Sequence, residues 1–252
     1  MSNIRVIPRL DIKGPNVVKG VQTEGLRVLG SPKELAAKYY REEADEIIYM
    51  DIVASLYQRS IDFDLLKTVT ESIFIPFTVG GGIRSIQDIN NALRAGADKV
   101  AINTYAINNP NFLIDAVRAF GSQCIVLSVE AKKIGDKKWE AYTEGGRQRT
   151  FVDAIDWIKK AIKLGVGEII VTSIDRDGTR LGYEIDLIRE ITSFAPVPVI
   201  CHGGAGKMGD FKEVLRDGNI NAVSSSSVFH YNDFSVKALK KYLFEQNINV
   251  RI

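Results

Sequence analysis

Cysteine, histidine, methionine and tryptophan are scarce: two, two, three and two in 252 residues. Cys124 and Cys201 lie far apart, each in an apolar run, which argues against a disulfide framework or zinc site and for a reducing compartment. No His/Cys/carboxylate spacing suits a metal, and the dinucleotide fingerprint is missing, so neither metal nor cofactor is expected. No apolar run approaches the 18 residues of a membrane helix. The opening MSNIRVIPRLDIKG puts Arg5 and Arg9 inside its apolar run and offers no small-residue cleavage site. A secretory leader is therefore not expected, and a cytoplasmic location is. An excess of one charge is also absent: 33 basic against 31 acidic residues leaves +2. Neither nucleic acid nor an anionic membrane is marked as a partner.

What is present is alternation. Short β-branched runs at 4–10, 46–50, 77–79, 99–102, 125–129, 168–172, 197–201 and 222–225 read as strands. Between them, amphipathic stretches at 32–43, 63–72, 85–95, 110–120, 152–164, 183–194, 208–217 and 235–246 read as helices. The first of these has Ser31 as its expected cap and Pro32 at its first position. Eight strands, each followed by a helix, predict parallel pairing with right-handed crossovers. The strands are almost wholly apolar, as strands covered on both faces are. A length near 250 residues with no linker fits one closed (β/α)8 TIM barrel spanning 1–252. After the fifth strand, residues 132–149 form a long connection with a hairpin pattern over 137–142.

The chain repeats at half its length. Asp11 and Glu130 end strands one and five. Asp51 and Asp175 stand in similar hexapeptides, GGGIRS from Gly80 resembles GGAGKM from Gly203, and AINT from Ala101 falls where SSSS begins at Ser224. Offsets of 119–124 residues link all four pairs, which predicts two similar fused half-barrels. The glycine turns at Gly80–Gly82 and Gly203–Gly206 each follow a strand and precede a helix, a setting in which backbone N–H groups can meet an anion. Asn103–Thr104 and Ser226–Ser227 would complete two phosphate cups. Two cups on one mouth predict an elongated ligand phosphorylated at both ends.

Carboxylates at strand ends are Asp11, Asp51, Glu130, Asp175 and Asp177. Asp51 alone suggests a cap or ion pair. The symmetric Asp11 and Glu130 suit a general base and general acid whose environments separate their pKa values. Cys201–His202 does not suit a nucleophile–base pair, because neighbours on a strand point to opposite faces. His230 reads as structural. Arg5, Glu46, Lys99 and Glu168 open strands one, two, four and six, and map to the N-terminal face. From spacing alone they read as a salt-bridge ring plugging the barrel floor.

The ordered motifs VIPRLDIKGPNVVKG, TVGGGIRS, GADKVAIN, FGSQ, TSIDRDGT, GGAGKM and SVFH resemble the cyclase (HisF) family of imidazole glycerol phosphate synthase over nearly the whole chain. The resemblance implies a half-barrel-duplicated (β/α)8 enzyme that takes ammonia from a partner glutaminase (HisH-like) subunit on its N-terminal face, forming a heterodimer. It also implies a ribulosyl-aminoimidazole bisphosphate substrate, converted to imidazole glycerol phosphate and an aminoimidazole carboxamide ribotide in histidine biosynthesis. By the same resemblance Asp11 matches a catalytic aspartate and Lys19 the lysine of the first loop. Asn103 and Thr104, beside Gly82, match one phosphate site. Asp177, Gly178, Gly204, Ser226 and Ser227 fall at or beside the other. Arg5, Glu46, Lys99 and Glu168 match an ammonia gate, which reverses the reading as a plug. The departures lie at the mouth: Glu130 replaces the second catalytic aspartate, Arg9 a cysteine, and Cys201–His202 an alanine–serine pair. These leave one alternative, a paralogue that delivers ammonia for amidination of a nucleotide sugar, in which Arg9 and Glu130 would pair across the mouth. A non-catalytic barrel that only activates a glutaminase is a third.

Overall fold

The computed structural model describes residues 3–22, 24–220 and 222–252. Eight parallel strands form its centre: Arg5–Lys13, Ile47–Asp51, Phe77–Gly80, Lys99–Ile102, Ile125–Gly135, Glu168–Ser173, Val199–His202 and Ala222–Ser225. Each pairs with the next, the fifth pairs with the sixth through Glu168 and Val126 onward, and the first pairs with the eighth through Arg5 and Ala222 onward. The eight central strands therefore close on themselves as a (β/α)8 barrel.

Strand periodicity sorts the side chains into two cores. Val6, Leu10 and Ile12 of the first strand face the helices and join the large outer cluster. Ile7 faces inward with Ile48, Met50, Ala101, Val126, Ile170, Ile200 and Ala222. By the two-residue period, Arg5, Arg9 and Asp11 share the inward face with Ile7. One strand thus sends charge to both ends of the barrel and an apolar side chain to its middle.

The outer helices follow the expected positions, each shorter by at most two residues at either end, and Met208–Asp217 coincides with its expected span. Several are stopped from fraying by side-chain caps. Asp62 accepts from Leu65 N–H at 2.9 Å, Ser85 from Asp88 N–H at 3.0 Å, Asp153 from Ile155 N–H at 2.9 Å and Ser235 from Ala238 N–H at 3.1 Å. Such a cap contributes about 1 kcal/mol. Ser31 is a correction: it occupies the cap position of Pro32–Arg41, but its side chain makes no capping bond.

Two ribbons decorate the C-terminal end at equivalent places in the two halves. Asn16–Val21 and Glu24–Gly30 fold back antiparallel on strand one. Lys138–Thr143 and Gln148–Asp153 do the same on strand five. A short helix also follows strand four (Thr104–Asn108) and strand eight (Ser227–His230). The half-length repeat of the sequence is thus a repeat of architecture.

Candidate active site

The inward rows of strands one, five and six end at the mouth in Asp11, Glu130 and Thr172. Arg9 Nε donates to Asp11 Oδ1 at 2.7 Å, and Arg9 Nη1 donates across the barrel to Thr172 Oγ1 of strand six at 3.0 Å. Lys19, carried in by the first ribbon, donates to Asp11 Oδ2 at 3.1 Å and to both oxygens of Asp177 at 2.8 and 2.9 Å. All five are buried. Two cations thus face two carboxylates, and each ion is hydrogen-bonded, which is the condition for tolerating charge away from water.

Glu130 is the carboxyl left over. Its Oε2 accepts from Asn103 Nδ2 at 3.1 Å, and the same amide donates to Tyr142 O at 3.0 Å. Glu130 therefore does not pair with Arg9 as an ion pair. The expected bridge across the mouth is replaced by Arg9–Asp11, because two residues apart on one strand the latter share a face.

The electrostatics separate the two carboxyls. Burial raises the Glu130 pKa to about 7, against the pull of Arg9. Burial acts on Asp11 in the same direction, but Arg9 and then Lys19 outweigh it and hold Asp11 at about 2. Asp177 is likewise held well below the ordinary carboxylate range, where Lys19 and His202 outweigh burial. At neutral pH the mouth offers an ionised Asp11 and a Glu130 poised to give or take a proton, the split required of an acid–base pair.

Three cavities open around this cluster. A cleft of about 280 Å³ brings together Gly82, Asn103, Thr104 and Glu130. A second, of about 630 Å³, is bordered by Lys19, Gly178, Arg180 and Ser227. Between them Arg9, Asp11, Lys19, Glu130 and Asp177 enclose only about 20 Å³. Ligand sites are usually some hundreds of Å³, so a ligand reaching Asp11 must displace the Lys19 ribbon. That ribbon is latched by Gln22 N–H donating to Asp177 O at 2.8 Å.

The two cups are formed unequally. Gly82, at φ +67°, could not carry a Cβ, which would lie 2.4 Å from Arg59 O. Thr104 Oγ1 accepts from Glu144 N–H at 3.1 Å, and Asn103 Nδ2 donates to Glu130 Oε2 within the cleft. In the second half Gly178 and Ser227 line the larger cavity, whereas Gly204 and Ser226 do not. Ser226 Oγ is committed to Arg9 O at 2.8 Å. Glu144 and Thr172 were not anticipated. Glu144 lies in the turn of the second ribbon and lines the first cleft, and its only sequence signal is the neighbouring Gly145–Gly146.

The remaining strand-end residues are structural. Asp51 accepts from Val53 N–H at 3.2 Å and pairs with Arg59 at 2.7 Å. Asp175 Oδ2 accepts from Lys133 N–H at 2.7 Å. Cys201 packs in the outer core, and burial raises its thiol far above neutrality, so it is no nucleophile. His202 points inward to Ser224 Oγ at 3.1 Å, and burial followed by Arg9 lowers it to about 4, which keeps it neutral. His230 Nδ1 meets the Tyr39 hydroxyl between the barrel and the first helix.

At the opposite end, Arg5 bridges Glu46 (2.9 Å) and Glu168 (2.6 Å), and Lys99 bridges the same two carboxylates at 2.6 and 2.5 Å. The four expected residues form a closed ring of alternating charge. The apolar inner cluster separates it from Arg9.

A closed (β/α)8 barrel with paired carboxylates of split pKa at its C-terminal mouth, and a cavity on either side, has the form of a barrel enzyme. Residues 5–235 match the family model described as "Histidine biosynthesis protein". The chain is 54% identical over 211 residues to the imidazole glycerol phosphate synthase subunit HisF of Legionella pneumophila, covering 84% of this chain and all of that one. It is 47% identical to that of Hydrogenobaculum sp. (strain Y04AAS1) and 43% identical to that of Alkaliphilus metalliredigens (strain QYMF), with 98% of each chain covered in both cases. The chain belongs to the HisF family of imidazole glycerol phosphate synthase subunits.

Proposed function

We propose that the chain, acting as one domain over residues 1–252 in the cytoplasm, is the ammonia-using cyclase of imidazole glycerol phosphate synthase. Its substrate is a ribulosyl-aminoimidazole bisphosphate, and its products are imidazole glycerol phosphate and an aminoimidazole carboxamide ribotide. The observation that carries this reading is the pair Asp11 and Glu130 lying between two polar cavities. A bisphosphate spanning the mouth sets one phosphate by Gly82 and Thr104 and the other by Gly178 and Ser227, with its reacting centre over the carboxyls.

Ring closure by ammonia requires a proton to leave nitrogen and another to reach the departing group. Asp11, kept ionised, stabilises positive charge developing on nitrogen. Glu130, near half-protonated at neutral pH, delivers and recovers the proton. Asn103 links the first cup to Glu130, so seating a phosphate there also orients the acid. Lys19 covers the occupied mouth and excludes water.

Ammonia comes from a glutaminase subunit docked on the N-terminal face. Arg5, Glu46, Lys99 and Glu168 form its gate, and the apolar inner cluster above them favours neutral ammonia over ammonium. An ammonia-dependent assay of the purified chain with the bisphosphate tests the reading. Turnover is expected without the glutaminase, and its absence in a folded protein that binds the bisphosphate would refute the assignment.

A further inference from the structure

Arg9 reaches across the lumen from one barrel strand to another. Strand six lies three places from strand one around the closed sheet, yet Arg9 Nη1 donates to Thr172 on strand six while Nε holds Asp11 on strand one. Its carbonyl also accepts from Ser226 Oγ at the end of strand eight. The side chain is thus fixed at both ends by barrel elements. Lys19, the other cation on Asp11, is carried by a ribbon that must move for a ligand to enter. Lys19 would leave with a lifting ribbon, whereas Arg9 is held by the barrel strands.

We propose that Arg9 is a positioning residue: braced on Thr172, its guanidinium keeps Asp11 ionised and aimed whether the ribbon is open or closed, and leaves Glu130 as the mouth carboxyl that exchanges the proton. The inference rests on the reading of Asp11 and Glu130 as the acid–base pair and assigns that pair its organiser. A guanidinium is suited to this because its planar fork offers separate donors to two acceptors at fixed angles, which an ammonium on a flexible stem does not.

The charges around Arg9 come from every side of the mouth. Asp11 shares its strand, Lys19 enters on the first ribbon, and Glu130 ends strand five. Arg147 acts on Glu130 from the second ribbon. Asp177 follows strand six, and His202, which is neutral, ends strand seven. His230, also neutral, senses Asp11 and Lys19 from beyond strand eight. Arg9 and Lys19 face Asp11 and Asp177, and Arg9 with Arg147 acts on Glu130. Removing Arg9 leaves both catalytic carboxyls short of positive charge, and both should bind protons more tightly.

The test is a carboxyl ¹³C NMR titration of the full chain, with the ammonia-dependent kcat and KM measured at constant free ammonia. In Arg9→Met the Glu130 midpoint should rise by about one pH unit, tenfold in proton affinity, with Asp11 rising as well. Arg9→Lys retains the charge and should fold. It should hold the Glu130 midpoint within about 0.3 units. It should still lose about tenfold in kcat with KM within about twofold, because an ammonium on a flexible stem does not hold Asp11 and Thr172 at fixed angles. An unmoved Glu130 midpoint in folded Arg9→Met would overturn the proposal, and so would wild-type kcat in Arg9→Lys. If Arg9→Met does not fold, the kcat–KM split of Arg9→Lys decides alone. Asp11→Asn separates the two readings: full kcat in that variant, beside a shifted Glu130 midpoint in Arg9→Met, would overturn the acid–base assignment and leave Arg9's hold on the carboxyls standing.

Discussion

Arg9 and Asp11, two positions apart on one strand, form a buried ion pair at 2.7 Å, and Lys19 closes on the other oxygen of the same carboxylate at 3.1 Å. Asp11 is therefore a permanent anion of the mouth. Replacing it with asparagine keeps the shape and removes the charge. Because an acid–base or charge-stabilising group acts mainly in the transition state, Asp11→Asn should lower kcat by about 100-fold or more with KM nearly unchanged. Steady-state kinetics with ammonia checks this, and an unchanged kcat would make Asp11 purely structural.

Glu130 should leave a mark on stability. Its pKa is raised by burial from 4.5 in the unfolded chain to about 7 in the folded one. The folded state thus prefers the protonated form. Stability is complete below pH 4.5 and declines as the pH rises through 7, by about 3 kcal/mol in order of magnitude. Glu130→Gln carries no titrating group and should escape that decline. Urea unfolding of both proteins at pH 5 and pH 8 measures it. An equal loss in the two proteins would place the pH dependence elsewhere.

The two cavities predict two anions. Crystals soaked in phosphate should show one by Gly82 and Thr104 and one by Gly178 and Ser227. Thr104→Ala should empty the first without affecting the second, since the sites lie in separate cavities. Ordered loops with no anion at either place would remove the basis for a bisphosphate.

The floor ring separates gate from plug by function. Lys99→Ala removes the bridge between Glu46 and Glu168 and leaves two buried carboxylates sharing Arg5. Breaking such a network costs about 3–5 kcal/mol, so the variant should be less stable on either reading. A gate also predicts that glutamine-dependent turnover falls further than turnover with free ammonium, which enters by the mouth. Equal losses in the two assays would leave the ring a plug.

The barrel was readable because its signals are local: apolar strands bounded by glycine turns, amphipathic helices between, and a repeat near 123 residues. Both carboxylates and all four ring residues were legible from their places at strand ends. What escaped depends on contacts distant in sequence. The ribbon Asn16–Val21 and Glu24–Gly30 is held by strand one and by Asp177, and its exposed second strand shows little alternation. Arg9 was visible as an unusual cation, but a strand pattern gives its face and not its partner. A two-residue spacing favoured Asp11 over the more distant Glu130. Gly204 and Ser226 were matched by motif, while the fold spends Ser226 on the Arg9 carbonyl.

Glu130 is where the proposed activity is tested most directly, since the resemblance to the family implies an aspartate at its position. If the chain is the cyclase, its longer side chain is accommodated by Asn103, and Glu130→Asp should keep or raise activity. The direct measurement is the ammonia-dependent kcat/KM of wild type and Glu130→Asp with the ribulosyl-aminoimidazole bisphosphate. The account predicts robust wild-type turnover that survives in Glu130→Asp. Turnover absent from both proteins, with each correctly folded, would contradict it.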